Sequence, residues 1–316
     1  MTKLSVIIVS YKVRDLVVDC LQSVFAAAGS VQLEVFLVDN ASNDGTVEQV
    51  RREFPSVQVI ANQQNLGFPK GNNQAWATCT GDVVLLLNPD TIMDVNALDA
   101  LGQFFDQQSE GAVVGLNVRN SDGTFQSCVH ELPNFRSLVF SILRLDRTFP
   151  RSLFFNSYGY GGVELSEVRA VGYVSGSALA LNRGAFQKLG GLDENLFWWE
   201  DVDVCCRAWK MDLPVYFLPT ARVMHLVGQS AKKNLRRVLY HQHSGRVRYF
   251  RKHFNGTIAG IVAIITLAEL CGKALIRAVQ CVVPSRRREI ILRMAGYLDA
   301  VNYIVLGRVQ KAEVAQ

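Results

Sequence analysis

The stretch LSVIIVS, Leu4 to Ser10, is a nearly continuous apolar and β-branched run of the kind a strand carries when both its faces are covered. Behind it, Leu16, Cys20, Leu21 and Val24 recur at helical spacing, which predicts a helix over 13–28. A second run, Leu33 to Val38, closes on Asp39-Asn40-Ala41-Ser42, where Ser42 or Asp44 can cap a helix reaching Phe54. Strands at 57–60, 82–87 and 112–116 then alternate with helices at 71–79 and 96–105. This alternation implies an α/β fold, a mostly parallel sheet with helices on both faces. Ligands of such sheets bind outside the carboxyl ends of the strands, so the polar residues just after each strand are the first site candidates. They read Ser10-Tyr11, Asp39-Asn40-Ala41-Ser42 and Asn88-Pro89-Asp90, with the loop Asn65 to Asn73 after the third strand. No GxGxxG follows the first strand and no GxxxxGK[ST] occurs anywhere, which excludes a dinucleotide fingerprint and a P-loop.

The 316 residues suffice for one large α/β domain with an appendage. With 49% hydrophobic and 19% charged residues, the chain is neither disordered nor fibrous. Its net charge of +5 hides a division: residues 1–221 carry 16 basic and 24 acidic side chains, whereas residues 222–316 carry 17 and 4. The first part has the balance of a soluble domain, and the second that of a surface meeting a polyanion. Seven cysteines without CxxC or zinc-like spacing are expected to be buried, reduced thiols, and the N-terminal apolar run is too short for a signal-peptide core.

The tail reads KKNLRRVLYHQHSGRVRYFRK from Lys232 to Lys252, a cationic helix with a patchy apolar stripe. Thr257 to Val283 follows, apolar except for Glu269, Lys273, Arg277 and Gln280; its uncharged part, 257–268, is short of the roughly 20 residues that span a bilayer. Pro284 ends it, and Ser285-Arg286-Arg287-Arg288 opens a last helix to about Arg308. No nucleic-acid-binding pattern accompanies the charge, so nucleic acid is not expected. Apolar residues beside Lys and Arg fit an anionic membrane surface. The alternative is a helical element that makes a homodimer.

The segments VIIVSY (6–11), FLVDNASNDGT (36–46), NQQNLGFPKGNNQAW (62–76), GDVVLLLNPD (81–90), VSGSALALNR (174–183), GGLDENLFWWEDVDVCCR (190–207) and HLVGQS (225–230) resemble, in order, those of inverting family-2 glycosyltransferases with a GT-A fold. The similarity is closest to the bacterial rhamnosyltransferase-like branch and covers about residues 3–255. It implies a GT-A domain over 1–230 with a basic, apolar helical extension over 231–316. It also implies transfer of a sugar, rhamnose among the candidates, from a dTDP- or UDP-activated donor to a polyprenyl-diphosphate-linked or other cell-envelope glycan. That places the protein in the cytoplasm, peripheral on the cytoplasmic face of the inner (plasma) membrane.

By this resemblance Asp39 accepts a hydrogen bond from the ring N3–H of the base, with Ser10, Tyr11 and Asn40 in the same pocket; a local Asx turn is the competing role for Asp39. Asp90, the single carboxylate where the family often has Asp-x-Asp, would hold Mg²⁺ or Mn²⁺ with His225 as second ligand. Lys70 would face the phosphates or only solvent, and Gly176 would border the donor sugar. Asp201 is the implied general base and Glu200 its orienting or acceptor-binding neighbour, although both could be helix caps. Trp198 and Trp199 lie on the acceptor side, and Arg207 faces either the diphosphate or Asp203. Two other readings are a sugar-phosphate nucleotidyltransferase, whose glycines after the first strand are missing here, and a non-catalytic nucleotide-sugar-binding membrane adaptor.

Overall fold

A computed structural model describes residues 2–107, 112–162, 165–226, 235–280 and 287–307. They fall into two compact units, Met1–Glu194 with Glu200–Val227, and Asn195–Trp199 with Gly228–Gln316. The loop Asn195–Trp199 belongs with the C-terminal unit.

In the first unit the elements run β1 (Lys3–Ser10), α1 (Arg14–Ala26), β2 (Gln32–Asp39), α2 (Thr46–Glu53), β3 (Gln58–Ala61), α3 (Phe68–Trp76), β4 (Val83–Leu87), β5 (Thr91–Met93), α4 (Ala97–Gln107) and β6 (Val113–Arg119). After them come β7 (Val129–His130), α5 (Phe135–Ile142), α6 (Leu145–Thr148), β8 (Arg169–Ala170), β9 (Tyr173–Val174), β10 (Ala178–Asn182), α7 (Arg183–Leu189), α8 (Glu200–Lys210) and β11 (Val215–His225). The main sheet is ordered β3-β2-β1-β4-β10-β6-β11-β5, with β8 paired to β11. Strands β3, β2, β1 and β4 are parallel, and so are β6 and β11. Between them β10 runs antiparallel to both neighbours.

Register decides which residues share an edge. Ser10 pairs with Asp39, and Ile8 with Leu87, so the carboxyl ends of β1, β2 and β4 are level. Because β10 is reversed, its beginning lies there too: Ala178 pairs with Leu87. All five residues of β4 are buried, as the uninterrupted VVLLL requires of a strand covered on both faces. Strand β11 runs from Val215 to His225, with Pro219 and a register shift between Leu218 and Arg222 interrupting its pattern.

The second unit holds α9 (Leu235–His253), α10 (Gly256–Gln280) and α11 (Arg287–Leu306), close to the three expected tail helices. Lys232, Lys233 and Arg286 lie outside the described residues. Leu239, Tyr240, Val247, Leu270, Tyr297, Ala300 and Ile304 form its core. Charged contacts join the helices: Arg236 chelates Asp299 at 2.6 and 3.0 Å, and Glu269 accepts from Arg246 at 2.7 Å and, within its own helix, from Lys273 at 2.6 Å. Burial alone would raise the pKa of Glu269, but the two cations outweigh it and hold the carboxyl at about 2.

Five cysteines are buried free thiols as expected, and burial pushes that of Cys20 up to about 12. Cys271 departs from the expectation and is exposed, while Cys281 lies outside the described residues.

Candidate active site

Asp39 ends β2 and is buried; its Oδ1 accepts from the Ser10 hydroxyl at 3.0 Å and from the Ser42 hydroxyl, and its Oδ2 from the Ser42 N–H at 2.9 Å. The local-turn role and an oriented carboxylate at the sheet edge therefore coexist. Asn40 has its side chain occupied: Nδ2 donates to Gly67 O at 3.3 Å, and Oδ1 accepts from Asn62 at 3.0 Å. It ties the Gly67 loop to the β2 end and is a scaffold for the pocket, not a free donor-binding group. Tyr11 lies just past β1 with Lys12 over its ring at 5.1 Å, and Lys70 is exposed on the first turn of α3.

Asp90 and His225, 135 residues apart, meet at the opposite part of the same edge, Asp90 Oδ1 lying 3.1 Å from His225 Nε2. His225 is brought there by β11, whose last residue pairs with Thr91, and by Leu226 N–H donating to Asp90 O at 2.9 Å. The tautomer follows from a neighbour that sequence reasoning missed. Gln126 donates through Nε2 to Asn120 Oδ1 at 3.1 Å, so its Oε1 faces His225 Nδ1, which donates at 2.8 Å. That leaves the Nε2 lone pair 3.4 Å from the Asn88 amide nitrogen and 3.1 Å from a carboxylate oxygen of Asp90, and a proton or a cation between Nε2 and that oxygen would reconcile the two acceptors. This donor set fits a divalent ion bound mainly by substrate oxygens and water. Among the described residues no cluster of three or more His, Cys, Asp and Glu side chains supplies a fuller cage.

Asp201 lies in the first turn of α8, where the helix dipole favours an anion. Its Oδ2 accepts from Gly176 N–H at 3.0 Å and its Oδ1 from Val202 N–H at 2.8 Å. Desolvation by burial outweighs these bonds and raises its pKa above the usual carboxylate range. A Cβ at position 176 would come 3.4 Å from that of Asp201, an ordinary van der Waals contact, so the space at this position does not itself require glycine. The adjoining Ser177 O accepts from Asn88 N–H at 2.9 Å. Asp201 and the Asp90–His225 pair are thus joined by two contacts, Asn88 N–H to Ser177 O and Gly176 N–H to Asp201. Glu200, beside Asp201, is buried.

Arg207 takes the structural alternative. Its Nε pairs with fully buried Asp203 at 2.8 Å, and each terminal nitrogen donates one hydrogen bond, to the carbonyls of Leu189 and Gly191, the latter at 2.8 Å. All three guanidinium nitrogens are thus engaged by the fold, which fixes the place and orientation of the side chain. Arg207→Met is expected to destabilise the chain by about 3–5 kcal/mol by stripping the charge partner from a buried carboxylate, with donor affinity of the folded protein unchanged. Thermal unfolding and calorimetric titration of donor check the two halves.

Trp199 belongs to the helical unit: its indole N–H donates to Gln242 O at 3.0 Å, and Gly245 lies so close that a Cβ there would be 2.5 Å from the ring. It is an anchor for its own loop. Trp198 is 40% exposed with φ of 75°, a left-handed backbone unfavourable for a bulky residue. The sequence also left unread a groove of about 830 Å³ in the first unit, lined by Asn117, Arg119, Phe125, Tyr160 and Arg222 among others. Its Phe125 is the residue before Gln126.

The family model described as Glycosyl transferase family 2 matches residues 5–189. An N-acetylglucosaminyl-diphospho-decaprenol L-rhamnosyltransferase of Mycobacterium tuberculosis is 30% identical over 206 residues, covering 61% of this chain and 66% of that enzyme. A low-salt glycan biosynthesis hexosyltransferase, Agl10, of Haloferax volcanii is 23% identical over 218 residues, 67% of this chain and 63% of the relative. The chain spans just under two thirds of the length of these curated relatives. Among solved structures, the mannosyltransferase PcManGT of Pyrobaculum calidifontis, in complex with GDP-Man and Mn²⁺, aligns with a TM-score of 0.56 at 18% identity, covering 99% of this chain and 88% of its own. S. aureus TarS 1–349 with UDP gives 0.51 at 15%, covering 99% and 94%. These likenesses bear out the expected GT-A fold. The family model covers more than half of the chain and takes in the strand ends that carry Asp39, Asp90 and Gly176, and on that match the chain belongs to glycosyl transferase family 2.

Proposed function

We propose that the chain is an inverting, metal-dependent glycosyltransferase that moves a sugar, L-rhamnose first among candidates, from a dTDP- or UDP-activated donor to a polyprenyl-diphosphate-linked glycan at an anionic membrane surface. The carrying observation is the arrangement on one sheet edge: Asp201, held by Gly176, is coupled through Ser177 and Asn88 to the Asp90–His225 pair. In this reading Asp39 accepts from the base of the donor, with Ser10 and Tyr11 beside it, and Lys70 adds a cation from the first turn of α3. Asp90 and His225 would hold Mg²⁺ or Mn²⁺, which when bound neutralises charge on the departing diphosphate. Asp201 removes the acceptor hydroxyl's proton as that oxygen attacks the anomeric carbon in line, and Glu200 orients it. The name of the mycobacterial relative supports the sugar and the lipid diphosphate, and Arg119 and Arg222 in the groove suit such an anionic acceptor. Trp198 is assigned to the acceptor side.

The test incubates the purified chain and Mn²⁺ with dTDP-rhamnose, UDP-sugars or GDP-mannose and a synthetic N-acetylglucosaminyl-diphospho-polyprenol. Transfer from the dTDP or UDP donors is expected, and a product from GDP-mannose alone would overturn the assignment of Asp39. Within this scheme Gln126 is a positioning residue. Gln126→Leu is expected to weaken Mn²⁺ binding about 10–100-fold in the presence of UDP, leaving UDP binding without metal unchanged. Calorimetry in the two conditions separates these.

A further inference from the structure

The helical unit carries its charge and its apolar surface the wrong way round for a water-facing domain. In α10 the charged side chains Glu269 and Lys273 turn toward α9 and the salt bridge with Arg246, while Val262, Thr266 and Leu270 are fully buried. Among its exposed positions Thr257, Ile261, Ile264, Ala268, Cys271 and Leu275 are spaced at alternating four and three residues on one face. No charged residue interrupts that stripe over about 30 Å of helix. Ile264 is 67% exposed and Leu275 71%. Helix α11 repeats the arrangement: Asp299 turns inward to Arg236, and Ile291, Leu292, Leu298, Val305 and Leu306 are exposed. Exposed apolar faces on this scale mark an interaction surface.

Charge selects the occupant. Exposed Arg251 and Lys252 stand just before α10, and exposed Arg287 and Arg288 open α11. Residues 228–316 carry sixteen basic and four acidic side chains, a net +12. A second copy would bring the same positive charge to the seam, whereas anionic headgroups complement it. Helix α10 has the length and hydropathy to cross a bilayer, but only by taking the Glu269–Lys273–Arg246 cluster and the cationic α9 with it. We infer that α10 and α11 lie in the plane of an anionic bilayer, immersing the Ile264–Leu275 stripe in one leaflet with Arg251, Lys252, Arg287 and Arg288 among the headgroups. This goes beyond the proposed reaction and stands whichever sugar or acceptor is used.

The test mixes the full chain with vesicles of phosphatidylcholine alone or with phosphatidylglycerol added. Co-sedimentation with the phosphatidylglycerol vesicles is expected, falling in high salt and with phosphatidylcholine alone. The double variant Ile264→Lys/Leu275→Lys should bind at least tenfold more weakly, with its circular dichroism unchanged because both positions are exposed. In a Cys281→Ser background, an environment-sensitive dye on exposed Cys271 should shift to the blue on vesicles. Wild-type binding by the double variant, or a Cys271 dye that stays in water while the protein co-sediments, overturns the inference. So does a vesicle-free dimer that the two lysines dissociate, which gives the face to a second copy. Donor binding is read in the same samples, so loss of vesicle binding with donor binding intact counts against this inference alone.

Discussion

Asp201→Asn is expected to fold, to bind nucleotide sugar as the wild type does, and to transfer sugar at least a hundredfold more slowly. The substitution keeps the shape of the side chain and one oxygen to accept from Gly176 N–H, so the backbone contact at 3.0 Å survives. What disappears is the capacity to take a proton. The wild-type pH profile gives a second readout of the same group. Burial raises the pKa of Asp201, opposed by the N–H groups of Gly176 and Val202, and only the ionised form is a base. Activity is therefore lost as pH falls through that raised value, so the acid limb of kcat/KM lies above the range of an ordinary aspartate. Wild-type turnover by the Asn variant would remove Asp201 from the role of base. An acid limb at an ordinary aspartate's pH would remove the effect of burial.

Asp90→Ala has the second large effect. With only one carboxylate and one imidazole converging, loss of the carboxylate is expected to abolish the metal-dependent part of donor binding and cut kcat about 10²–10³-fold. In a thermal shift experiment, donor at about 100 times its Kd stabilises a folded protein by about 2.7 kcal/mol. The gain in that stabilisation on adding Mn²⁺ should vanish in Asp90→Ala and persist in Arg207→Lys, because Arg207 is committed to Asp203, Leu189 and Gly191. Undiminished Mn²⁺ stimulation in Asp90→Ala would detach the metal from this strand end.

The site was legible in proportion to how local its signals are. Asp39, Asp90 and Gly176 follow or precede apolar runs, and strand geometry alone carries them to one edge. Gln126 offered no such signal: it stands in an irregular stretch between β6 and β7 and acquires its role only from His225, 99 residues away. Arg207 had two readings at equal spacing, and the choice was made by carbonyls of the turn after α7 that no periodicity reveals. Asn40, grouped with the pocket by its position, turned out to be a brace for the Gly67 loop.

What the sequence determined by itself was the set of covered strands and the helices between them, because continuous apolar runs and 3.6-residue spacing are properties of neighbours in the chain. It also determined that the last 95 residues are cationic and apolar at once. Only the tertiary structure decided that β10 runs against its neighbours and so delivers Gly176 to Asp201. It alone decided that Glu269 and Asp299 face inward to arginines, leaving isoleucines and leucines outside. Strand direction and the orientation of a charge depend on free energies of contact between distant segments, and a local pattern is equally compatible with either outcome.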